Sequence, residues 1–349
     1  MKITNYKLQI TKKIKYQILN IKKFVVWYLG IGIFLLFGAW NLVLAQSFSL
    51  SITPPLLEVM MIPGKTITQV YRLANQGATS LIYSQIVAFE PADDLGNINL
   101  ELGSQLPASS NQQFLSWFSW QNVDITLPGT FLVKSGETQE LVLRLQVPKD
   151  AEEKDYYTSL VFSVNPKGHL VSTTGTQAAG MLAANILLTV SKDGNPPKNG
   201  KIIDFSVPEF SLFNLKFRLF DSFDKIPFTL KVANTGQSLF KPQGSVKIIS
   251  PSDKEVEFLE IAVQNILARS QRKLYIVGNE ETPLKEISWQ PRGLKIGRYK
   301  ALANLVIDDS NIKMENTISF FMFPWKASLG LVVAYILLRL IGRLIIPKK

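Results

Sequence analysis

Few residues of this 349-residue chain carry side chains that enzymes use, and their spacing limits what they can do. There is one histidine and no cysteine. Without cysteine there is no thiolate metal site, no catalytic thiol and no lipid-modified N-terminal cysteine. His169 closes Asn165-Pro166-Lys167-Gly168-His169, a run of turn formers that follows an apolar stretch. It reads as a solvated turn residue and not as a general base. No Gly-x-Ser-x-Gly nucleophile elbow, phosphate-binding Gly-x-x-x-x-Gly-Lys-Ser/Thr loop or His-Glu-x-x-His zinc helix is present. Asp93, Asp94, Asn97 and Asn99 offer oxygen ligands, but no glutamate follows at the spacing of a helical calcium loop. They predict a solvated turn. The remaining acids are scattered, and no pair stands out for glycoside hydrolysis. Leu127-Pro128-Gly129-Thr130-Phe131 has the outline of a sorting signal but ends in Phe, lies far from the C-terminal apolar segment, and reads as a turn. The sequence therefore assigns no catalytic residue, no metal site and no cofactor.

Binding chemistry has a better candidate. Trp117, Phe118 and Trp120 form the densest aromatic cluster of the central region. Such rings stack on sugars or anchor a protein partner when exposed, and pack a core when not. Strand alternation sets Trp117 on the opposite face from Phe118 and Trp120, so Trp117 is expected to be the more exposed. Trp117 and Trp120 are the candidate binding residues.

The elements that would hold such a site begin with the distribution of charge. The net charge is +11, from 38 Lys+Arg against 27 Asp+Glu. Residues 1–45 hold seven lysines and residues 321–349 five basic residues, with no acid in either. The middle, 46–320, keeps 38 − 12 = 26 basic residues against all 27 acids, a net of −1. The basic excess thus flanks two apolar segments, which points to membrane topology and away from nucleic-acid binding.

Phe24 to Ala45 is almost wholly apolar, follows a lysine-rich stretch and ends with Val43 and Ala45 at the −3 and −1 positions of a cleavage site before Gln46. This is the layout of a secretory signal. The run is also near the about 20 residues that span a bilayer, so an uncleaved anchor is the alternative. Near the other end, the stretch 323–345 reads as a transmembrane helix, with aromatics at one interface and Arg339 and Arg343 reaching the other. The basic ends then face the cytoplasm, and residues 46–320 lie outside the cytoplasmic membrane.

That outer region alternates with period two in Thr66 to Leu73, Glu140 to Val147, Phe228 to Val232, Ser245 to Ile249 and Tyr299 to Ile307. Short β-branched and aromatic runs between Pro, Gly and Asn turns indicate β-sandwiches. A short repeat supports two related units. Leu73-Ala74-Asn75-Gln76-Gly77 parallels Val232-Ala233-Asn234-Thr235-Gly236, and Ser135 to Thr138 and Ala268 to Gln271 each precede a later strand, 139–147 and 272–277. Lys192 to Gly200 is polar and rich in Pro and Gly, the composition of a linker. The expected organisation is a signal or anchor (1–45), two tandem immunoglobulin-like β-sandwiches (46–194 and 195–320) and a transmembrane helix with a basic tail (321–349). The first sandwich carries 8 basic and 13 acidic residues, the second 18 and 14.

This layout resembles the WxL-interacting proteins of Gram-positive surfaces. The matching stretches are Phe48 to Pro55 with Pro63-Gly64, Ala88 to Leu100 around Gly96, Tyr156 to Val164 with Met181 to Val190, and Leu294 to Tyr299. The resemblance implies a peptidoglycan-binding β-domain, an immunoglobulin-like domain that binds a host and a membrane anchor. The chain has Leu267-Ala268-Arg269-Ser270 where the family usually has Ala-Pro-Asn-Ser, and no binding residue is carried over. Tandem immunoglobulin-like domains also describe the periplasmic pilus chaperones, whose last strand of the first domain pairs with a client. Met181 to Leu188 is the strand that would do so here. The expected function is a non-catalytic, membrane-anchored surface protein that binds cell-wall glycan or another surface protein, with the bilayer as its other partner. The alternative is an assembly chaperone that works by strand addition.

Overall fold

Alternating apolar runs fold as strands wherever one face has a partner sheet to cover it. The computed structural model describes residues 49–102, 112–164, 180–212, 215–307 and 312–345. The signal or anchor segment and His169 lie outside these residues. Among the described residues the fold is all-β apart from a two-turn 3-10 helix at Gln112–Trp117 and a C-terminal helix.

Ten strands build the first half: β1 (Leu50–Thr53), β2 (Leu56–Met61), β3 (Thr66–Asn75), β4 (Ser80–Pro91), β5 (Ile98–Leu100), β6 (Phe118–Trp120), β7 (Gly129–Val133), β8 (Thr138–Gln146), β9 (Asp155–Ser163) and β10 (Met181–Val190). One sheet runs β1-β3-β8-β6, and the other β2-β10-β9-β4-β5, with β7 also on β4. In β3 and β8 every second residue points inward, so Tyr71 lies opposite Leu141 and both are buried. Ile82, Leu160, Phe162, Ile186 and Leu188 meet them from the other sheet. Each such side chain contributes roughly 1.5–3 kcal/mol by leaving water.

The second half has its own core, built on Phe228, Leu230, Phe240, Val246, Trp289, Leu305 and Phe320. Strand β11 (Gly200–Ser206) pairs with Thr229–Asn234, which pairs with Gln271–Lys273. The facing sheet is centred on Pro242–Ile249, Gly297–Ile307 and Lys313–Met322. The expected strand 272–277 is broken in two. Gln271–Lys273 stays with Thr229–Asn234, whereas Ile276–Val277 turns to pair with Leu284–Lys285.

The sequence repeat has a three-dimensional counterpart. Asn75 donates from Nδ2 to the carbonyls of Ala78 (2.8 Å) and Val133 (3.1 Å) and accepts from Gly77 N (3.0 Å). Asn234 donates to Ser238 (2.9 Å) and Ile266 (3.0 Å) and accepts from Gly236 N (2.9 Å). Their own amides donate to Glu137 and Ser270, the residues that the repeat aligns. Just before these stand Gly136 (φ 73°) and Arg269 (φ 57°), both in the left-handed region. Buried asparagine thus ties a turn to a distant strand in both halves.

Helix α1 (Trp325–Ile345) leaves the end of the second core, and its apolar side chains from Leu329 to Ile341 are largely exposed. Among the described residues no helix is long and apolar enough to cross a membrane. For α1 the side chains are described only as far as Ile341.

Candidate functional site

The aromatic pair singled out from sequence is part of the first core. Trp120 is buried, donates from Nε1 to Ser84 Oγ (3.4 Å) and lies 6.5 Å from the Phe162 ring. Trp117 is half-buried, its ring 4.8 Å from that of Tyr156 and 6.1 Å from that of Phe114. Phe118 and Trp120 point inward from β6, whereas Trp117 ends the 3-10 helix, where strand alternation does not apply, and packs against the margin of the same core. Among the described residues no open aromatic platform results, because these rings pack tilted and edge-on against one another.

Backbone geometry provides a different site, at the edge of β10. Over its whole length one side of β10 pairs with β9, from Met181↔Ser163 to Thr189↔Asp155. On the other side β2 runs parallel to it, but only from Asn185↔Leu56 to Val190↔Met61. Asn185 N donates to Pro55 O (2.9 Å), so odd-numbered residues of β10 turn their N–H and C=O toward the β2 side. Ala183 and Met181 follow the same phase. Among the described residues nothing pairs with that side of Met181–Ala184.

The β2 segment does not extend along this lane, and the reason is covalent. Upstream of Leu56 the chain reaches Pro55 and Pro54, neither of which has an N–H to extend the ladder. It then crosses to the other sheet, where β1 pairs with β3. Beside the gap, Met181 and Leu56 are exposed, while Ala184 and Ile186 belong to the core. An extended segment placed there would find backbone donors and acceptors and an apolar border. Such an unpaired edge is a template for strand addition.

Strand register puts this gap away from the second half. Thr189 and Asp155 lie at the opposite end of the β9–β10 pair, and Asp155 meets the second half there. Its carboxylate accepts from Tyr157 OH (2.6 Å), Thr189 Oγ1 (2.8 Å) and Leu239 N (2.5 Å). Tyr157 OH in turn accepts from Ala268 N (2.8 Å). Burial pushes the Asp155 carboxyl above the usual carboxylate range, against the pull of these hydrogen bonds. It also pushes the Tyr157 phenol up, helped by the Asp155 charge.

Two further contacts clasp the halves. Glu58 accepts from Lys241 Nζ and Asn265 Nδ2, each at 2.5 Å. Burial opposes the Glu58 charge, but these partners hold its carboxyl below the ordinary value. The Asp93–Asn99 segment, expected as a free turn, is indeed an Asx turn: Asp93 Oδ1 accepts from Leu95 N and Asn97 N. It is not free, however. Asp94 pairs with Lys231 (2.5 Å), its carbonyl accepts from Lys273 N (2.6 Å), and the Arg272 guanidinium lies against Gly96. A cleft of about 1230 Å³ remains between the halves, bordered by Phe89, Lys154, Tyr156 and Arg269. Among the described residues no group of three or more acids or histidines is placed to hold a metal ion.

The chain matches no protein-family model and no curated protein. Among solved structures it is similar to the class 5 fimbriae chaperone CfaA, at 11% identity over 79% of this chain and 100% of that chain, with a TM-score of 0.34. The E. coli chaperone DraB gives 12% identity, 78% and 97% coverage and a TM-score of 0.32. The Salmonella enterica SafA pilin in complex with the SafB chaperone gives 11%, 78% and 98%, and 0.31. TM-scores of this size carry no argument about a shared fold or site. Nothing in these likenesses bears on the WxL-interacting resemblance.

Proposed function

We propose that this chain is a non-catalytic binding protein of the cell envelope that takes an extended segment of a partner protein onto the free edge of β10. The vacated lane beside Met181–Ala184 carries this reading. In it, the two halves are tandem immunoglobulin-like sandwiches outside the cytoplasmic membrane, and α1 tethers them to the bilayer. Among the described residues no span is long and apolar enough to cross a membrane, and the tether is supported by the surface of α1 alone. Its exposed apolar side chains lie on every face from Leu329 to Ile341. A protein segment fits the gap better than a glycan does. The site offers paired main-chain groups and an apolar border, and Trp120, which a glycan platform would need, is buried.

The test uses a photo-reactive residue in place of Met181 in the full chain, in intact cells. The expected result is an adduct with one protein, mapping to an extended segment, and lost when Ala183→Pro is added. The Ala183 N–H faces this lane, so proline there removes its central donor, puts a ring in the path of an added strand and leaves the β9 ladder intact. An adduct that survives Ala183→Pro, or no protein adduct at all, would refute strand addition.

A further inference from the structure

The second half ends, where α1 begins, in a surface rich in exposed aromatic and aliphatic side chains. Gly297 pairs with Met322, and Leu219 pairs with Phe321, so residues 217–224, 290–298 and 321–326 converge at one end. The opposite end, where Ile307 pairs with Pro242, faces the first half. At the converging end Phe217, Leu219, Phe223, Phe321, Phe323 and Trp325 are all exposed. Leu294 and Ile296 add a second exposed strip beside them, held there by the bond from Ser222 Oγ to the Lys295 carbonyl. The hairpin that pairs Phe210 with Phe217 projects from the same end and exposes Phe210 and Leu215.

This surface is fixed to the root of α1. Buried Asp221 accepts from Phe223 N (3.1 Å) and from Lys326 N (3.0 Å), and Lys326 Nζ pairs with Asp224 (2.5 Å). The apolar rim therefore cannot be separated from the first turn of the helix. Its charge is also one-sided. Of the local acids, Glu209 is taken by Arg218 and Lys216, Asp224 by Lys326, and Asp221 by backbone amides. Lys225, Arg292, Lys295 and Arg298 form no ion pair among the described residues.

We propose that this end of the second half is a membrane-docking collar, seated in the headgroup layer of an anionic bilayer around the root of α1. Continuity with the exposed apolar helix selects the occupant. Aromatic side chains favour the interface, and each lysine or arginine near an anionic surface adds attraction. The collar would set the height and tilt of both halves over the membrane. The proposal rests on the tether reading of α1.

The absence of cysteine makes single labelling sites clean. The full chain is reconstituted in mixed phosphatidylcholine and phosphatidylglycerol vesicles. It carries a fluorophore at Leu215→Cys, Leu294→Cys, Val332→Cys or Leu132→Cys, one at a time. Brominated lipid should quench the probes at 215, 294 and 332 and leave the one at 132 bright. Leu132 is exposed on β7, opposite Leu81 and away from the junction. Quenching at 332 without quenching at 215 and 294 would overturn the collar and leave the tether standing. No quenching at 332 would overturn both. A probe at 215 or 294 that leaves water yet is not quenched by lipid would place a protein surface there and overturn the collar equally.

Discussion

Replacing Asn234 by alanine removes the link between the turn after Thr229–Asn234 and the distant Ile266 carbonyl. Asn234 makes two donated bonds and accepts one, at 2.9–3.0 Å, from a site 2% exposed. At about 1 kcal/mol net per bond the loss would be about 3 kcal/mol. Part is recovered, because Ile266 O still accepts from Phe240 N and Gly236 N still donates to Asn199 O. The Ser238 carbonyl loses its donor, and the expected cost of Asn234→Ala is therefore about 2–3 kcal/mol. Asn75→Ala should cost a similar amount in the first half. Asn234→Asp should cost more at neutral pH, since it loses both donors and sets a carboxylate against two carbonyls. Urea unfolding of the full chain in detergent gives the free energy, and hydrogen exchange localises it. Asn234→Ala should loosen 205–322, and Asn75→Ala should loosen 50–190. A cost below about 0.5 kcal/mol, or loosening in the wrong half, would refute the equivalence of the two turns.

The left-handed pair gives opposite expectations: Gly136→Ala should destabilise by about 1 kcal/mol through backbone conformation alone, since an added Cβ meets nothing within 4 Å, while Arg269→Gly should stabilise by a similar amount in urea unfolding. Trp120→Ala should cost roughly 3–5 kcal/mol as a core truncation, and Trp117→Ala distinctly less, both read by the unfolding midpoint. Asp155 has a raised carboxyl in the folded state, so the folded chain holds that proton more tightly than the unfolded one. Its contribution to stability is full below the ordinary carboxylate value and falls as pH rises through the raised one. Asp155→Asn should lack that fall, so the stability difference between wild type and Asp155→Asn should shrink as pH rises through the acid range; a difference that grows instead would show that the hydrogen bonds outweigh the burial.

Much of the β fold is readable from pattern, because alternation and sheet burial are the same fact seen twice. Thr66 to Leu73 and Glu140 to Val147 alternate, and they pair through Tyr71 and Leu141. Asn-x-Gly at 75 and 234 marks turns for which the side chain itself supplies the tie. The split of 271–277 is not readable, since it depends on which neighbour, Thr229–Asn234 or Leu284–Lys285, is closer in space. The junction is equally hidden: Glu58 meets Lys241, and Asp94 meets Lys231, across more than a hundred residues. Met181 to Leu188 is readable as a strand, but which part of it lacks a described partner follows only from where Pro54 and Pro55 end the lane of β2. The density of aromatics at Trp117 and Trp120 is accounted for by their packing on Tyr156 and Phe162.

The free edge itself is the most direct thing to measure. Amide hydrogen exchange, resolved to single residues in the isolated full chain, separates the two sides of β10. Ala184 and Leu182 direct their amides to β9 and should be protected, whereas Ala183 faces the vacant lane and should exchange about as fast as an exposed amide. An Ala183 amide as protected as that of Ala184 would mean the lane is already filled, and would contradict strand addition at this edge.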